Sequence, residues 1–227
     1  MIVITVVLES LQRIISWQFH QSVVNTNLRS WDKDYRSRGR LWGSATKDLP
    51  DLPEGSAVLE LGCGNGKTLS AMAGRGWRIT ALDISAEALR LSRIAAPEAF
   101  FLLADVRRLP FRDESFDAVF AFHITGHLLL ADRKGAAAEA MRVLRRRGKL
   151  FLREFGAEDM RSGRGYEIEP RTFRRGGGVI THYFTEDEIT ELFSGMEPLS
   201  VQSRCWTMRI VGQDMMRSEI EAIFEKF

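Results

Sequence analysis

A glycine-rich loop is the first feature of the sequence whose residue types indicate chemistry. It reads ELGCGNG (residues 60–66) and follows a short apolar stretch. Glycines permit a tight turn and let a ligand approach the backbone closely. The helical pattern behind the loop would offer free N–H groups to an anion. We therefore expect a ligand-binding turn, of a kind that several classes of nucleotide-binding protein share.

Two of these classes fit the spacing poorly. The dinucleotide fingerprint G-x-G-x-x-G accommodates Gly62 and Gly64, but Lys67 stands at its third glycine. The P-loop pattern G-x-x-x-x-G-K-[ST] matches the tail GKT (66–68), but Leu61 stands at its first glycine. The observed spacing is G-x-G-x-G. An ATP- and magnesium-binding protein that uses the GKT tail stays open as an alternative.

Two acids at the ends of later apolar stretches make the signal more specific. Asp83 ends the second stretch, where a carboxylate can accept both hydroxyls of a ribose. Asp105 ends the third stretch, where it can accept from the exocyclic amine of an adenine. We therefore expect an adenosine to be held at both of its rings. NAD would also use the first acid, but the second acid and the G-x-G-x-G spacing favour another adenosine ligand.

Two histidines follow the fourth apolar stretch, in FHITGH (122–127). His123 is the candidate catalytic residue, as a base or as a group that orients the substrate. The alternative is a polar residue at a strand end that the backbone satisfies. His123 and His127 have the i, i+4 spacing of zinc ligands, but they lack the Glu of H-E-x-x-H and a third ligand. No metal site is therefore expected.

Other side chains are candidates for covering such a site. Trp31, Tyr35 and Trp42 precede the loop, and an aromatic face suits a cation. Alternatively, these residues bury an N-terminal helix against the sheet. Arg153 and Glu154 end the fifth apolar stretch, where they either bind substrate or pair with each other.

A stretch rich in glycine and arginine follows, at residues 156–184. A charge run of this kind is usually a solvated loop, but it can also cover an anionic substrate, RNA included. Its arginines are Arg161, Arg164, Arg171, Arg174 and Arg175.

The composition argues against several other classes of protein. The 227 residues are 44% apolar and 27% charged, and the net charge of +2 is too mild to indicate nucleic acid by itself. Cys63 and Cys205 are too few for a disulfide framework, which favours a reducing cytoplasm. The opening MIVITVVLES lacks the features of a signal peptide, and no apolar run approaches the roughly 20 residues of a membrane span.

Strand and helix patterns alternate behind the candidate residues. Strands that alternate with helices imply crossover connections and a parallel sheet covered on both faces. Residues 199–208 and 217–226 are predicted as two further strands, with a terminal helix as the alternative for the second. Thr185 and Glu188 form the pattern of a capping box, so a helix is predicted at 185–193. The other predicted strands are 56–62, 77–83, 99–105, 116–123 and 148–155, and the other predicted helices are 65–74, 85–95 and 132–144.

The segments LELGCGNG, ALDIS, ADVRRLPF, FDAVFAFH and RVLRRRGKLFLREF, between Ala57 and Phe155, carry a family resemblance. In this order and spacing they resemble the motifs of class I S-adenosylmethionine-dependent methyltransferases. The resemblance implies an α/β fold, with a Rossmann-like, seven-stranded, mostly parallel sheet, helices on both faces and the last strand antiparallel. It divides the chain into an N-terminal helical cap (1–50) and a methyltransferase domain (51–227), in which 156–184 is a substrate-covering excursion.

The resemblance also implies contacts to S-adenosylmethionine. The loop glycines would flank the methionine portion, Asp83 would hold the ribose, and Ile84 would lie against the adenine. Asp105 and the Val106 N–H would recognise the adenine edge, and Glu60 would orient the loop or the ammonium group. The predicted cofactor-binding residues are Glu60, Gly62, Cys63, Gly64, Gly66, Asp83, Ile84, Asp105, Val106, Phe122, Tyr35 and Trp42.

The implied activity is methyl transfer to a small-molecule acceptor. The sequence lacks N-P-P-[YFW] after the fourth strand, which argues against methylation of an adenine amino group. One alternative is a tRNA-modifying methyltransferase, since HYFT (182–185) resembles a segment of tRNA wobble-uridine methyltransferases. The other alternative is a non-catalytic protein that binds the cofactor. Methyl transfer from a sulfonium requires a general base only where the acceptor arrives protonated.

Overall fold

The computed structural model describes residues 30–37 and 49–227, and the sequence order of its elements alternates between strands and helices. The strands are β1 (Ala57–Leu61), β2 (Arg78–Asp83), β3 (Phe100–Leu103), β4 (Phe116–Phe122), β5 (Leu144–Phe155), β6 (Tyr166–Glu169), β7 (Thr172–Arg174), β8 (Ile180–His182), β9 (Glu197–Ile210) and β10 (Gln213–Glu225). The helices are α1 (30–37), α2 (Lys67–Met72), α3 (Ala86–Ala95), α4 (Leu130–Val143) and α5 (Glu186–Leu192).

Seven of the strands form one sheet in the order β3-β2-β1-β4-β5-β10-β9. The neighbouring strands β3, β2, β1, β4 and β5 pair in parallel, and β10 pairs antiparallel with both β5 and β9. This arrangement confirms the predicted Rossmann-like sheet with its antiparallel last strand. The alternative of a terminal helix is wrong, because burial in β10 alternates with period two, as in a strand with one face on the core.

Apolar side chains of the parallel strands point alternately to two hydrophobic clusters, one on each face of the sheet. Leu59 and Val119 lie in the cluster that α4 and α5 cover. Val58 and Phe120 lie in the cluster that α2 and α3 cover. Burial on both faces explains why these strands are almost continuously apolar.

Two predicted helix starts are confirmed by their caps. The Ser85 side chain accepts from the Ala88 N–H at the start of α3, and Thr185 and Glu188 form a reciprocal capping box at α5. Helix α2 begins later than predicted, because the backbone of Gly66 is left-handed (φ 80°) and the chain is still turning there. Among the described helices, none is both long and apolar enough to cross a bilayer.

The segment 156–184 is more regular than its composition predicts. It contains a three-stranded antiparallel sheet in the order β6-β7-β8. Thr172, Ile180 and Tyr183 are almost fully buried, so this small sheet has its own packed side. The interpretation as a solvated loop is therefore wrong for β7 and β8, whereas much of the rest of the segment is exposed or half-buried.

Candidate active site

A pocket opens at the carboxyl ends of β1 to β4. The carboxyl edge of a parallel sheet is where small-molecule ligands bind. One side of the pocket carries three carboxylates and Gly62, and the other side is aromatic and aliphatic. The lining residues are Trp31, Tyr35, Gly62, Asp83, Ile84, Ala104, Asp105, Val106, Arg107, His123, Ile124, His127, Leu128, Leu129, Asp132 and Ile180.

The glycine loop lies directly under the described part of α1. Gly64 has a left-handed backbone (φ 54°), and a Cβ added there would approach the Tyr35 hydroxyl to 2.8 Å. A Cβ added to Gly62, which is also left-handed, would approach the Ile124 side chain to 2.7 Å. Larger residues at these positions would therefore fill the space between the loop and the pocket walls.

Asp83 holds the loop in place as well as lining the pocket. One carboxylate oxygen accepts from the Gly64 N–H at 2.9 Å, and the other accepts from the Ser85 N–H at 2.9 Å. Burial raises the pKa of this carboxyl, and the backbone donors oppose that rise. Asp83 therefore ties the end of β2 to the glycine loop and to the start of α3.

Glu60 lies behind the loop, almost fully buried and outside the pocket lining. The Thr68 hydroxyl donates to its carboxylate, and among the described residues its Oε2 has no hydrogen-bond partner. Burial raises the pKa of Glu60 to about 8. Because this pKa lies above 7, Glu60 is largely a neutral carboxyl near pH 7, and its predicted contact with the cofactor stays a prediction.

Asp105 is already paired on the other side of the carboxylate-rich wall. Arg107 Nε donates to both carboxylate oxygens of Asp105 at 2.9 Å, and Arg107 Nη1 lies 3.1 Å from Asp132. Burial raises the pKa of Asp105, but the hydrogen bonds from Arg107 outweigh it and leave the pKa lowered. Arg107 and Asp132 were not predicted from the sequence. The position of Arg107, two residues after Asp105, could have indicated that the two side chains pair.

The described part of α1 covers the pocket from above. Trp31 stacks on Tyr35 with 5.8 Å between ring centroids, and its edge meets His127 at 4.7 Å. The Ser85 hydroxyl donates to Asp32 at 2.9 Å, which attaches α1 to the start of α3. Trp31 and Tyr35 therefore both line the pocket, whereas Trp42 lies outside the described residues.

A single buried carboxylate holds the loop after β4. Glu154 Oε1 accepts from the N–H groups of residues 124, 125 and 126 at 3.1, 2.7 and 3.1 Å and from the Thr125 hydroxyl at 2.6 Å. Burial raises the pKa of Glu154 to about 7. The predicted pairing with Arg153 is wrong, because Arg153 pairs with Glu221 at 3.0 Å on β10.

The two histidines of this loop occupy different positions in the pocket. His123 has a left-handed backbone (φ 55°), and its ring stacks on Phe155 at 4.2 Å. His127 is more deeply buried, and its Nδ1 lies 2.7 Å from the Ile180 carbonyl. Since a carbonyl only accepts, this contact assigns the proton to Nδ1 of His127. Burial lowers the pKa of His123 to about 3 and that of His127 to about 4, so both rings are neutral near pH 7.

Five of the predicted cofactor contacts that fall on described residues do not line the pocket: Glu60, Cys63, Gly64, Gly66 and Phe122. Phe122 faces the other side of the sheet, where Arg153 lies 4.8 Å above its ring, because side chains alternate along β4. Cys63 is buried in the cluster that α2 and α3 cover, and Gly66 is buried against Ser92 at the start of α2. Ile84 and Val106 do line the pocket, as placed by the predicted strand ends.

Two of the five arginines of 156–184 form ion pairs within the molecule: Arg161 with Asp159 at 2.7 Å and Arg171 with Glu188 at 2.6 Å. Arg175 contacts the Thr181 hydroxyl at 3.3 Å, and the buried Nε and Nη2 of Arg174 have no hydrogen-bond partner among the described residues. The two ion pairs reduce the positive charge that the segment offers to an anionic substrate.

The loop after β1 also differs from a P-loop. Lys67 is exposed at the start of α2, whereas the Thr68 side chain is buried and bonds to Glu60. A P-loop hydroxyl instead contacts the magnesium ion of the bound nucleotide. The geometry therefore argues against the alternative that the GKT tail binds ATP.

Comparison with known proteins relates this fold and pocket to methyltransferases. Residues 59–152 match a model of the methyltransferase domain. A crystal structure of a SAM-dependent methyltransferase from Methanosarcina mazei superposes with a TM-score of 0.66 and is 27% identical, covering 79% of this chain and 99% of that chain.

Two curated relatives show how broad the family is. A demethylmenaquinone methyltransferase of Renibacterium salmoninarum is 33% identical over 117 residues, which are 51% of this chain and 48% of that protein. A tRNA (carboxymethyluridine(34)-5-O)-methyltransferase of Arabidopsis thaliana is 32% identical over 118 residues, which are 52% of this chain and 28% of that protein. The chain thus spans about half the length, or less, of these curated relatives.

Proposed function

We propose that this chain, which belongs to the class I S-adenosylmethionine-dependent methyltransferases, transfers the methyl group of S-adenosylmethionine to a small-molecule acceptor. One observation carries the proposal. A single pocket joins a wall that suits an adenosine and a cation to a wall that suits an apolar acceptor. The two reactants would therefore meet in one pocket, which would align them for an in-line displacement.

The carboxylate-rich side would hold the cofactor. Asp83 and Asp105, which line the pocket, would hold the ribose hydroxyls and the adenine edge, and Gly62 and Gly64 would leave room for the methionine portion. The bound cofactor would supply an activated methyl group on its sulfonium, so the protein has little bond chemistry of its own to perform.

The aromatic side would align the acceptor and exclude water. Trp31, His127 and Ile180 form a continuous wall between α1, the loop after β4, and β8. His123 lines the same pocket at the end of β4. Alignment and exclusion of water are the main contributions that a protein makes to a displacement of this kind.

Buried core residues lie behind the aromatic side of the pocket, and this favours a small acceptor over RNA. Residues 182–184 of the tRNA-like HYFT segment are almost fully buried, so these side chains serve the core and not a nucleic-acid surface. RNA remains the second candidate because of the Arabidopsis relative, and its signature would be steeply salt-dependent binding. We also propose that the chain acts in the cytoplasm, where its free thiols, Cys63 and Cys205, would stay reduced.

Calorimetric titration tests the proposal. The purified chain is titrated with S-adenosylmethionine, S-adenosylhomocysteine, NAD and ATP. We expect micromolar binding of the two sulfur ligands only, and K67A as a matched control should leave it unchanged. Binding of ATP that K67A abolishes would contradict the proposal in favour of a P-loop protein, and binding of NAD alone would contradict it in favour of a dinucleotide site. Tight cofactor binding without transfer to any acceptor would indicate the non-catalytic alternative.

A further inference from the structure

We propose that Glu219 positions His123 to take the proton from a hydroxyl group of the acceptor, so that the reaction forms a methyl ether. The inference rests on the proposed function and narrows its substrate class to hydroxyl-bearing molecules. Three neighbouring strands contribute to this arrangement, and its two polar residues are far apart in the sequence.

The arrangement is built on β4, β5 and β10. His123 directly follows β4, Phe155 ends β5, and Glu219 lies opposite Phe155 in the antiparallel register of β10. The imidazole of His123 stacks on the Phe155 ring at an interplanar angle of 24°. Its Nε2 lies 3.5 Å from Glu219 Oε1, a distance that a small shift on ligand binding would turn into a hydrogen bond.

The other ring nitrogen, Nδ1, is the one that could contact the hydroxyl group of a methyl acceptor. Among the described residues, Nδ1 of His123 is buried and has no hydrogen-bond partner. If Nε2–H donates to Glu219, the lone pair of the neutral ring is on Nδ1. A hydroxyl group in the pocket would provide the partner that Nδ1 lacks.

The backbone of His123 has a left-handed conformation, which sets the position of its side chain. A left-handed conformation is uncommon for a residue with a bulky side chain, and such residues cluster at functional sites. The His123 N–H donates to the Arg153 carbonyl at 2.7 Å, which fixes the conformation against β5. Phe155 is in turn held by Arg161, whose Cζ lies 3.9 Å from the ring centroid. Since both groups lie close to the centroid, the imidazole and the guanidinium occupy opposite faces of the ring.

The proposed step balances without a further reactant. The acceptor oxygen forms a bond to the methyl carbon as the bond from that carbon to sulfur breaks, and the electron pair stays on sulfur. The O–H proton passes to Nδ1 of His123, and the Glu219 carboxylate stabilises the imidazolium charge. Burial, together with the cations near His123, keeps the pKa of its ring low, so the imidazolium returns its proton to solvent readily.

Nuclear magnetic resonance of the full chain, labelled with nitrogen-15 in its histidines, tests the assignment without a known acceptor. In the complex with S-adenosylhomocysteine, we expect His123 to carry its proton on Nε2. Addition of phenol should move the Nδ1 resonance toward the hydrogen-bonded range, and toluene, of the same size, should not. A His123 protonated on Nδ1, or the same response to both probes, would overturn the proposal.

Two variants separate positioning from folding. E219L should abolish the preference of His123 for the Nε2 proton, and E219Q should keep it, because the amide oxygen still accepts. E221Q is the matched control, since Glu221 lies on the same strand and pairs with Arg153 and Arg204 instead. With any hydroxyl acceptor that is turned over, E219Q should lower kcat on the order of tenfold with little change in KM.

Cofactor binding is measured on the same samples by calorimetry. Failure of the wild-type chain to bind S-adenosylhomocysteine would refute the proposed function itself. Normal binding with an unchanged His123 proton position in E219L would refute only the role of Glu219.

Discussion

The two sides of the pocket are stabilised by different forces. On the cofactor side, Asp83 accepts hydrogen bonds from main-chain N–H groups, and Asp105 pairs with an arginine two residues away. On the acceptor side, Trp31, His127 and Ile180 come from three distant segments and meet mainly through ring and main-chain contacts. The first side therefore depends on charge and local geometry, whereas the second depends on packing between segments. Substitutions on the cofactor side should accordingly change the affinity for the cofactor, whatever the methyl acceptor is.

The largest effect is expected from D83A. The substitution removes a ribose partner and also the acceptor that holds the Gly64 N–H. Loss of charge-assisted hydrogen bonds costs about 1.5–3 kcal/mol, so cofactor affinity should fall roughly 10- to 150-fold. Titration with S-adenosylhomocysteine measures it, with D51A as a control at a fully exposed carboxylate. Equal affinities in D83A and D51A would remove Asp83 from the site.

A smaller loss is expected from D105A. Arg107 already neutralises this carboxylate, so part of its interaction with an adenine amine is offset in the wild-type chain. We expect affinity to fall by about tenfold, near the low end of the range for such bonds. The same titration tests the order of the two variants. A larger loss in D105A than in D83A would show that the adenine edge, and not the ribose, dominates binding.

The smallest effect on affinity is expected from E60Q, which should also raise stability. The folded-state pKa of Glu60, about 8, lies above its ordinary value, so its ionisation destabilises the fold as the pH rises through that interval. The glutamine lacks this ionisation. Between about pH 5 and about pH 8 the free energy of unfolding should therefore fall by roughly 3–4 kcal/mol less in E60Q than in the wild type. Urea unfolding at both pH values measures the difference. Identical pH dependence in both proteins would show that Glu60 is solvated.

The same division explains how much could be predicted from the sequence. Asp83 and His123 line the pocket because the carboxyl ends of parallel strands meet at one edge of the sheet, and their predicted roles there stay predictions. The contacts of Glu154 and Ile180 could not be predicted, since each joins segments that only the folded chain brings together. Phe122 was misplaced because its sequence position, next to His123, does not reveal which face of β4 it occupies.

The bonds of Glu154 have a consequence for how the acceptor range of such a protein can diverge. Three of the four groups that this carboxylate binds are main-chain N–H groups, which every residue except proline provides. The side chains at Ile124, His127 and Leu128 can therefore change while the loop keeps its path over the sheet. A lineage could acquire new acceptors by exchanging these side chains and leave its adenosine-binding wall unaltered.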